Sequence, residues 1–324
     1  MVAAASASAV GQRSSQTSQR GTTRAACVCC SITSETRMAY GSRVSRHGSS
    51  RPRSAYQSSS ASLTRQTLDC VPAVCFDLDS SPPIPVISGA AVSHDDLVLE
   101  ASDGNRFAAF LATPEEPSRK GVVILPDVRG LYPFYEELAL RFAERGYTAL
   151  AFDYFGRTAG AEKRGEEFEY RPHVEAVTPE QIQADVAAAI EQLRSLGVQS
   201  VFTVGFCMGG RQSWLATAAG HGLAGAVGFY GRPGAAADGS PGPEQLVSKL
   251  EAPILALQGG ADQNITADDN EAFEQALSDA GVEHELVVYE GAPHSFFDRK
   301  QDEFAGASED AWNRTLEFIE RHGT

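Results

Sequence analysis

Six short apolar runs, spaced by amphipathic segments, most constrain what this chain can fold into. In chain order they are GVVILP (121–126), YTALAFD (147–153), VFTVGF (201–206), GAVGFY (225–230), PILALQG (253–259) and HELVVYE (284–290). Runs that are apolar at nearly every position are typical of strands buried on both faces of a sheet. The sequence therefore predicts a central, mostly parallel sheet.

The segments between these runs carry helical patterns. The clearest covers residues 178–197, where Thr178 is placed as an N-cap, Pro179 lies in the first turn and Gln181 completes a capping box. Further helices are predicted over 133–146, 208–219, 267–280 and 308–321. Strands that alternate with helices in this way predict a three-layer α/β fold, with helices flanking both faces of the sheet.

Two other segments complete the predicted domain. LVLEA (97–101) and RFAAFLAT (106–113) flank the turn sequence SDGN and predict an antiparallel hairpin. Residues 157–177 show little periodicity, and we predict a loop there, near the functional edge of the sheet.

Residues 1–68 differ in composition from the rest of the chain. They hold nine arginines, sixteen serines, no lysine and one acidic residue, Glu35. Such a segment cannot bury enough apolar surface to fold, and this composition is typical of an organelle transit peptide. We interpret residues 1–68 as a transit peptide, for the chloroplast in preference to the mitochondrion; a tail with no targeting role is the alternative. A proline-rich linker over 69–91 then precedes a catalytic domain at 92–324.

The charge of the chain excludes some classes of partner. Its net charge is −15, and because residues 1–68 carry nine positive charges and one negative charge, residues 69–324 carry −23. So acidic a body is expected to repel nucleic acid and anionic membranes. No run approaches the ~18 consecutive apolar residues that span a bilayer. We expect a small-molecule substrate, a monomer or homodimer, and neither cofactor nor metal.

One cysteine has a context that suggests chemistry. Cys207 is the only cysteine after residue 76, so within that part of the chain it is either a packing residue or a reactive thiol. In GFCMGG (205–210), Gly205 and Gly209 flank it between a predicted strand and a predicted helix, the context of a nucleophile elbow. The glycines remove Cβ atoms that would clash in the turn, and a helix N-terminus favours a thiolate. We interpret Cys207 as a nucleophile and the N–H of Met208 as an oxyanion donor.

A thiol nucleophile needs a base, and the base needs an acid that orients it. In α/β-hydrolases the chain order is nucleophile, acid and then histidine. Asp262 lies in GGADQNI (259–265), just after a predicted strand, and His294 lies in GAPHSFFDR (291–299), just after the next one. We predict that Asp262 is the acid and His294 the base.

Other residues could fill these two roles less well. Asp268 and Asp269 are alternatives for the acid, but the pattern places them in the first turn of a helix, where negative charge is favoured. The weaker candidates for the base are His173, in the irregular loop, and three histidines whose positions are typical of surface or packing residues. These three are His221, His284 and His322.

The loop PDVRGLYPF (126–134) is expected beside the thiol. It follows the first predicted strand of the parallel sheet, so the N–H of Val128 is predicted as the second oxyanion donor. Asp127 would then lie close to Cys207, where it could hold the thiol protonated until substrate binds or orient the substrate. The alternative is a turn-forming Asp127 followed by a surface residue, Arg129.

The motifs GFCMGG, GGADQNI and GAPHSFFDR together closely resemble the dienelactone hydrolase (carboxymethylenebutenolidase) family, and the similarity covers about residues 92–324. The resemblance implies an α/β-hydrolase fold without a large cap. It implies a Cys-His-Asp triad formed by Cys207, His294 and Asp262, and cleavage of an enol-lactone. It also places Asp127 where the family has an acidic residue that contacts the resting thiol.

The resemblance further implies arginines that bind a substrate carboxylate. Arg164 and Arg171 are both candidates for the first of two such arginines. The second such arginine is expected shortly after the catalytic histidine. Here the position four residues after His294 holds Asp298, and the candidate Arg299 follows it. Arg129 and Arg232 could also supply the positive charge.

The sequence thus predicts a hydrolase that cleaves a lactone or activated ester through a thioester acyl-enzyme. An amidotransferase-like hydrolase is disfavoured, because the segment PHSFF offers no His-x-Glu pair. The alternative of a different class is a receptor that keeps the hydrolase fold and binds a ligand without turnover.

Overall fold

The computed structural model describes residues 81–165 and 167–324. They belong to the second of the two units into which the chain divides, residues 70–324. The predicted transit peptide and the first part of the predicted linker lie outside the described residues.

The described residues form a sheet of eight strands. These are β1 (Val92–Glu100), β2 (Arg106–Pro114), β3 (Lys120–Leu125), β4 (Thr148–Phe152), β5 (Ser200–Phe206), β6 (Gly225–Phe229), β7 (Ile254–Gly259) and β8 (His284–Tyr289). Their order is β1-β2-β4-β3-β5-β6-β7-β8. The β1–β2 and β2–β4 pairs are antiparallel, and all other pairs are parallel. The predicted hairpin and the mostly parallel sheet are both confirmed.

Helices cover both faces of this sheet. They are α1 (Pro133–Ala143), α2 (Gly156–Ala159), α3 (Arg171–Ala176), α4 (Pro179–Ser195), α5 (Met208–Ala216), α6 (Ala267–Ala280) and α7 (Ala305–His322), with a 3₁₀ helix at Glu244–Lys249. The predicted capping box of α4 is confirmed, since Thr178 Oγ1 accepts the Gln181 N–H at 3.3 Å and Gln181 Oε1 accepts the Thr178 N–H at 3.0 Å. No helix among the described residues has the length and apolar character that crossing a membrane requires.

The prediction of a loop over 157–177 is wrong in part. The short helix α2 overlaps the start of this segment, and α3 lies inside it. They have four and six residues, respectively. Helices this short do not present enough turns to show an amphipathic period in the sequence.

The two sides of each central strand face different helices. In β3, the buried side chains of Val122 and Ile124 pack in one cluster with residues of α1 and α7. Val123 and Leu125 point the other way and pack with residues of α4. Burial on both faces explains why these strands are apolar at successive positions, each buried aliphatic side chain contributing roughly 1.5–3 kcal/mol. The three-layer α/β prediction is confirmed.

The described part of the predicted linker lies against the domain. Ile84 is buried in the cluster that contains α1 and α7. The N–H of Ile87 donates to the Glu144 carboxylate at 3.1 Å, and Gln301 Nε2 donates to the carbonyl oxygen of Ser81 at 2.6 Å. Residues 81–87 are therefore anchored to the folded domain by burial and by hydrogen bonds.

Candidate active site

The candidate site is built at the carboxyl ends of the parallel strands. Cys207 directly follows β5, Asp262 follows β7 by three residues and His294 follows β8 by five. The loop with Asp127 follows β3, and Tyr230 directly follows β6. Because parallel strands end at one edge of their sheet, five loops meet there, and ligands of open α/β sheets bind at this edge.

The backbone around Cys207 makes a tight turn that requires glycine two residues before and two residues after it. Cys207 has φ 54° and ψ −113°, between the end of β5 and the first residue of α5. A Cβ on Gly205 would lie 2.0 Å from the carbonyl oxygen of Gly209, and one on Gly209 would lie 2.1 Å from that of Leu125. The close packing of the α5 N-terminus on β3 and β5 therefore explains both glycines of the motif.

Among the described residues, positive φ angles outside glycine occur only at the candidate site. In the described ranges they occur at Cys207 (54°), Tyr230 (40°) and Ser295 (61°). Ser295 directly follows His294. Such conformations cost of order 1–3 kcal/mol each and concentrate at functional sites. The loops after β5, β6 and β8 are thus all strained at this one edge.

Asp262 and His294 are in direct contact. His294 Nδ1 lies 2.6 Å from Asp262 Oδ2, and the Asp262 side chain is fully buried. The other carboxylate oxygen, Oδ1, accepts the N–H of Asn264 at 2.8 Å. Both oxygens of Asp262 are therefore fixed, and the imidazole is held with Nδ1 toward the acid.

His294 also interacts with Cys207. Burial by itself lowers the pKa of His294, but the negative charge of Cys207 and the hydrogen bonds to Asp262 and Cys207 outweigh it and raise that pKa to about 10. The imidazole thus contacts the carboxylate directly and interacts electrostatically with the thiol. This arrangement can form a thiolate–imidazolium pair and can pass a proton.

The predicted oxyanion donors lie at the start of α5 and in the loop after β3. Met208 is the first residue of α5, so its N–H has no acceptor within the helix. Val128 lies in a tight turn in which the Asp127 backbone oxygen accepts the N–H of Gly130 at 3.1 Å and an Asp127 carboxylate oxygen accepts the N–H of Arg129 at 2.9 Å. The roles of the Met208 and Val128 N–H groups stay predictions.

Asp127 forms an ion pair within its own loop. Arg129 donates from Nη2 to Oδ2 at 2.6 Å and from Nε to Oδ1 at 3.0 Å. The guanidinium also lies over the Tyr132 ring, 3.8 Å from its centroid. Asp127 is almost fully buried, at 3% exposed. The expected contact of Asp127 with the thiol stays a prediction, whereas its contact with Arg129 is direct.

Tyr230 and Asp298 form a buried pair beside His294. The Tyr230 hydroxyl donates to Asp298 Oδ2 at 3.2 Å, and its ring centroid lies 5.0 Å from that of His294. Burial raises the pKa of the Asp298 carboxyl, the charge of Asp127 raises it further and the charge of Arg299 lowers it. Tyr230 was not predicted as a site residue from the sequence, because an aromatic residue at the end of a strand is typical of the hydrophobic core. Its position at the strand end, next to Gly231, was the available signal.

The predicted arginine ligands have different environments. Arg164 is buried, with Nη2 2.8 Å from Asp153 Oδ2, and it donates to the carbonyl oxygens of Ala159 and Gly160. Asp153 also accepts the backbone N–H of Leu131, so the pair joins the loops after β3 and β4. This role for Asp153 was not apparent from the sequence, and the substrate contact of Arg164 stays a prediction.

Two of the remaining candidate arginines, Arg171 and Arg232, are exposed, whereas Arg299 has partners within the protein. Arg171 begins α3, and Arg232 lies two residues after Tyr230. Arg299 Nη2 donates to Ser295 Oγ at 2.6 Å, and its Nε lies 3.7 Å from Asp298 Oδ1. Substrate contacts by these three arginines also stay predictions.

The weaker candidates have other partners. Asp269 completes a capping box with Thr266 at the start of α6, as the sequence indicated for a first-turn residue. The alternative histidines contact groups elsewhere: Thr158 for His173, Gln183 for His221, the Val282 carbonyl for His284, and Glu283 for His322. No group of three His, Cys, Asp or Glu residues within the described ranges is placed to hold a metal ion.

Comparison with known proteins identifies a family for this chain. The model of the dienelactone hydrolase family matches residues 107–323. The carboxymethylenebutenolidase of Rhodococcus opacus is 29% identical over 262 residues, 78% of this chain and 98% of that protein. A candidate carboxymethylenebutenolidase of Saccharolobus solfataricus is 32% identical over 257 residues, 68% of this chain and 96% of that protein. The crystal structure of a candidate dienelactone hydrolase from Klebsiella pneumoniae is 27% identical, with TM-score 0.62, covering 71% of this chain and 98% of that one.

Proposed function

The chain belongs to the dienelactone hydrolase family, and from that premise we propose that it cleaves lactones or activated esters through a Cys207 thioester. It is a hydrolase of the carboxymethylenebutenolidase kind. In the proposed mechanism Cys207 is the nucleophile, His294 is the base and acid, and Asp262 orients His294. The direct contact of His294 with the buried Asp262 carboxylate, together with the electrostatic interaction of His294 with Cys207, carries the proposal.

Acylation begins from the thiolate–imidazolium pair. The Cys207 sulfur attacks the carbonyl carbon of the ester, and a C–S bond forms while the carbonyl oxygen takes the negative charge. The N–H groups of Met208 and Val128 donate to that oxyanion. When the intermediate collapses, the C–O bond breaks and the imidazolium of His294 donates its proton to the leaving oxygen.

Deacylation uses the same groups in reverse. Neutral His294 takes a proton from water, and the resulting hydroxide attacks the thioester carbonyl. The C–S bond then breaks, the carboxylic acid leaves and the thiolate–imidazolium pair is restored. Asp262 stays ionised throughout, because its role is to hold the imidazole orientation and stabilise its positive charge.

The chemistry of a thiolate favours esters with good leaving groups. The tetrahedral intermediate expels whichever of its two groups, the Cys207 thiolate or the leaving group of the substrate, is the weaker base. An alkoxide or an amide anion is a stronger base than a thiolate. With alkyl esters and amides the thiolate is therefore expelled, and the substrate re-forms. Enolates and phenolates are weak bases and leave faster. Enol-lactones and aryl esters are therefore the proposed substrates, in preference to alkyl esters and amides.

Turnover by matched variants tests this function. We expect the purified protein to hydrolyse p-nitrophenyl acetate and dienelactone with multiple turnovers. Cys207→Ala and His294→Ala should each lower kcat by at least about 10³-fold, as removal of a triad member does in related mechanisms. His221→Ala, at a half-buried histidine with other contacts, is the control and should keep kcat within about twofold. Full turnover by Cys207→Ala, or ligand binding with no turnover by the wild type, would contradict the proposal.

We also propose that residues 1–68 direct the protein to the chloroplast, with the mitochondrion as the alternative. Their arginine- and serine-rich, acid-poor composition supports the proposal. A fluorescent protein fused after residue 91 should enter the organelle and lose its first residues. A fusion that lacks residues 1–68 should stay outside.

A further inference from the structure

The turn at residues 126–131, between β3 and α1, has almost all of its backbone donors engaged. Four of its five N–H groups over residues 127–131 donate to acceptors of the protein, those of Asp127, Arg129, Gly130 and Leu131. For the remaining N–H, that of Val128, none of the described residues supplies an acceptor. Because backbone donors in a packed turn are nearly always paired, the Val128 N–H is the donor that the fold leaves available to a ligand.

Two consecutive residues after β4 hold the two ends of this turn. At its start, the Tyr154 hydroxyl donates to the Pro126 carbonyl oxygen at 2.7 Å. At its end, Asp153 Oδ1 accepts the Leu131 N–H at 3.1 Å. The Asp153 and Tyr154 side chains are both fully buried. The carboxyl end of β4 therefore fixes where the turn lies relative to the sheet.

Asp153 is itself held through both carboxylate oxygens. Besides the Leu131 N–H on Oδ1, its Oδ2 accepts the N–H of Phe155 and Arg164 Nη2, each at 2.8 Å. Gly130, with φ 79°, lies so close that a Cβ there would be 2.2 Å from Asp153 Oδ1. A buried carboxylate that accepts hydrogen bonds on both oxygens is rigidly placed, so the turn that packs against it has little freedom.

The same turn packs against the helix that begins with the other predicted oxyanion donor. A Cβ on Gly209, in the first turn of α5, would lie 2.3 Å from the Pro126 carbonyl oxygen, the atom that the Tyr154 hydroxyl binds. Burial is the main cause that raises the pKa of Tyr154, and the charge of Cys207 is among those that raise it further. Tyr154 thus stays a protonated donor within electrostatic reach of the thiol.

We infer that Asp153 and Tyr154 are positioning residues that hold the Val128 N–H in place to bind the oxyanion. The inference rests on the proposed function and assigns to the end of β4 the placement of one oxyanion donor. Val128, Cys207 and Met208 are partly exposed and can meet a substrate, whereas both positioning residues are buried and act through the turn. A preorganised donor stabilises charge that develops in the transition state, so loosening the turn slows acylation and leaves the reactivity of the thiol unchanged.

Two reactions of the same thiol separate these effects. Acylation by p-nitrophenyl acetate, which kcat/KM reports, forms an oxyanion. Alkylation by iodoacetamide forms a C–S bond as the C–I bond breaks and iodide leaves, with no oxyanion, and mass spectrometry follows it on the peptide that contains Cys207.

Tyr154→Phe removes the hydroxyl that holds Pro126 and keeps the ring. We expect kcat/KM for the ester to fall by about tenfold, since loss of a whole oxyanion donor costs about 10²–10³-fold. The rate constant of alkylation, which depends on the thiolate, should stay within about twofold of wild type. Tyr147→Phe is the control, because the Tyr147 hydroxyl binds Glu320 at the amino end of β4, and it should change neither rate constant.

A matched pair of glycine variants tests the Asp153 side of the turn. Gly130→Ala places a methyl group against Asp153 Oδ1 and forces the turn to move, so the ester kcat/KM should fall by about tenfold or more while alkylation is kept. Gly146 also has a positive φ, 88°, but a Cβ there would meet nothing within 4 Å. Gly146→Ala therefore carries the backbone strain alone and should keep both rate constants.

The comparison of the two rate constants decides the outcome. An unchanged ester kcat/KM in Tyr154→Phe or in Gly130→Ala would overturn the inference, as would an equal fall in ester cleavage and alkylation. A loss in Gly146→Ala equal to that in Gly130→Ala would overturn it as well. A wild type that is alkylated at Cys207 but cleaves no ester would instead count against the proposed function.

Discussion

The Tyr230 hydroxyl lies 3.2 Å from Asp298 Oδ2, and this hydrogen bond joins the loop after β6 to the loop that carries His294. Both residues are buried, and Tyr230 has a positive φ of 40°. The Tyr230 ring also contacts the His294 ring, with centroids 5.0 Å apart. Tyr230 is therefore placed to act on His294 as a positioning residue.

Tyr230→Phe should remove this connection while keeping the ring. The buried Asp298 carboxyl loses a donor, so the free energy of unfolding should fall by about 1–3 kcal/mol. We also expect kcat to fall more than KM rises, and the pH profile of kcat/KM to shift, because His294 is less well held. Stopped-flow or steady-state assays over a range of pH measure both effects.

Tyr147→Phe is the matched control for that experiment. The Tyr147 hydroxyl also donates to a carboxylate, Glu320, at 2.5 Å, but at the amino end of β4, the opposite edge of the sheet. It should lose stability and keep both kcat and the pH profile. If Tyr230→Phe behaves like Tyr147→Phe, Tyr230 has only a structural role.

Asp262→Asn should measure how much the orientation of the His294 imidazole contributes to catalysis. The amide cannot hold the imidazole with Nδ1 protonated as the carboxylate does, so kcat should fall by about 10²–10⁴-fold while KM changes little. The control is Asp268→Asn, at the exposed first-turn residue of α6 that was the alternative acid. If Asp268→Asn costs as much activity as Asp262→Asn, the assignment of the acid fails.

The raised pKa of His294 predicts a pH dependence of stability. In the folded protein this pKa is about 10, above the ordinary value of 6.5, so the protonated imidazole stabilises the fold. Its contribution is fully present below pH 6.5 and is lost as the pH rises through about 10. The difference in unfolding free energy between wild type and His294→Gln should therefore decrease over that window, as measured by urea unfolding.

His221 provides a control of opposite sign for the pH experiment. Burial and the charge of Arg194 lower its pKa below 6.5. Its contribution is present above pH 6.5 and is lost as the pH falls. His221→Gln should therefore differ from wild type most at high pH. Parallel pH trends for the two variants would contradict the ion pair assigned to His294.

Gly209→Ala should test the packing of the nucleophile turn. A Cβ there would lie 2.1 Å from the Leu125 carbonyl oxygen, so we expect a loss of several degrees in Tm and of most activity. Gly306→Ala, in α7, meets nothing within 4 Å and should be neutral or stabilising by up to about 1 kcal/mol. Since alanine has the higher helix propensity at both sites, a harmless Gly209→Ala would show that the turn tolerates a side chain.

Sequence patterns predicted most of this architecture, because buried positions need apolar residues and these recur with the period of the strand or helix that buries them. The two-sided apolar strands and the Thr178 capping box follow from local physical requirements, and both appear where expected. The contact between Asp262 and His294 was also predictable, since strand order brings those loops to one edge.

Other features depend on contacts that no local pattern reports. Asp127 with Arg129 is a pairing within a turn and Asp153 pairs with Arg164 eleven residues away, but Tyr230 with Asp298 joins loops 68 residues apart in the sequence. A buried carboxylate and a surface carboxylate look alike in a sequence until their partners are known. Five arginines were therefore predicted as substrate ligands, whereas the guanidinium groups of three of them, Arg129, Arg164 and Arg299, lie near the protein's own carboxylates.

The most direct test of the account is the identity of the acylated residue during turnover. Wild-type protein mixed with saturating p-nitrophenyl acetate and quenched in acid within milliseconds should carry one acetyl group, on the peptide that contains Cys207, as read by mass spectrometry. Hydroxylamine should release it, as expected for a thioester, and Cys207→Ala should carry none and should not turn over. Turnover with no acetyl group on Cys207, or with the acetyl group on another side chain, would contradict the account.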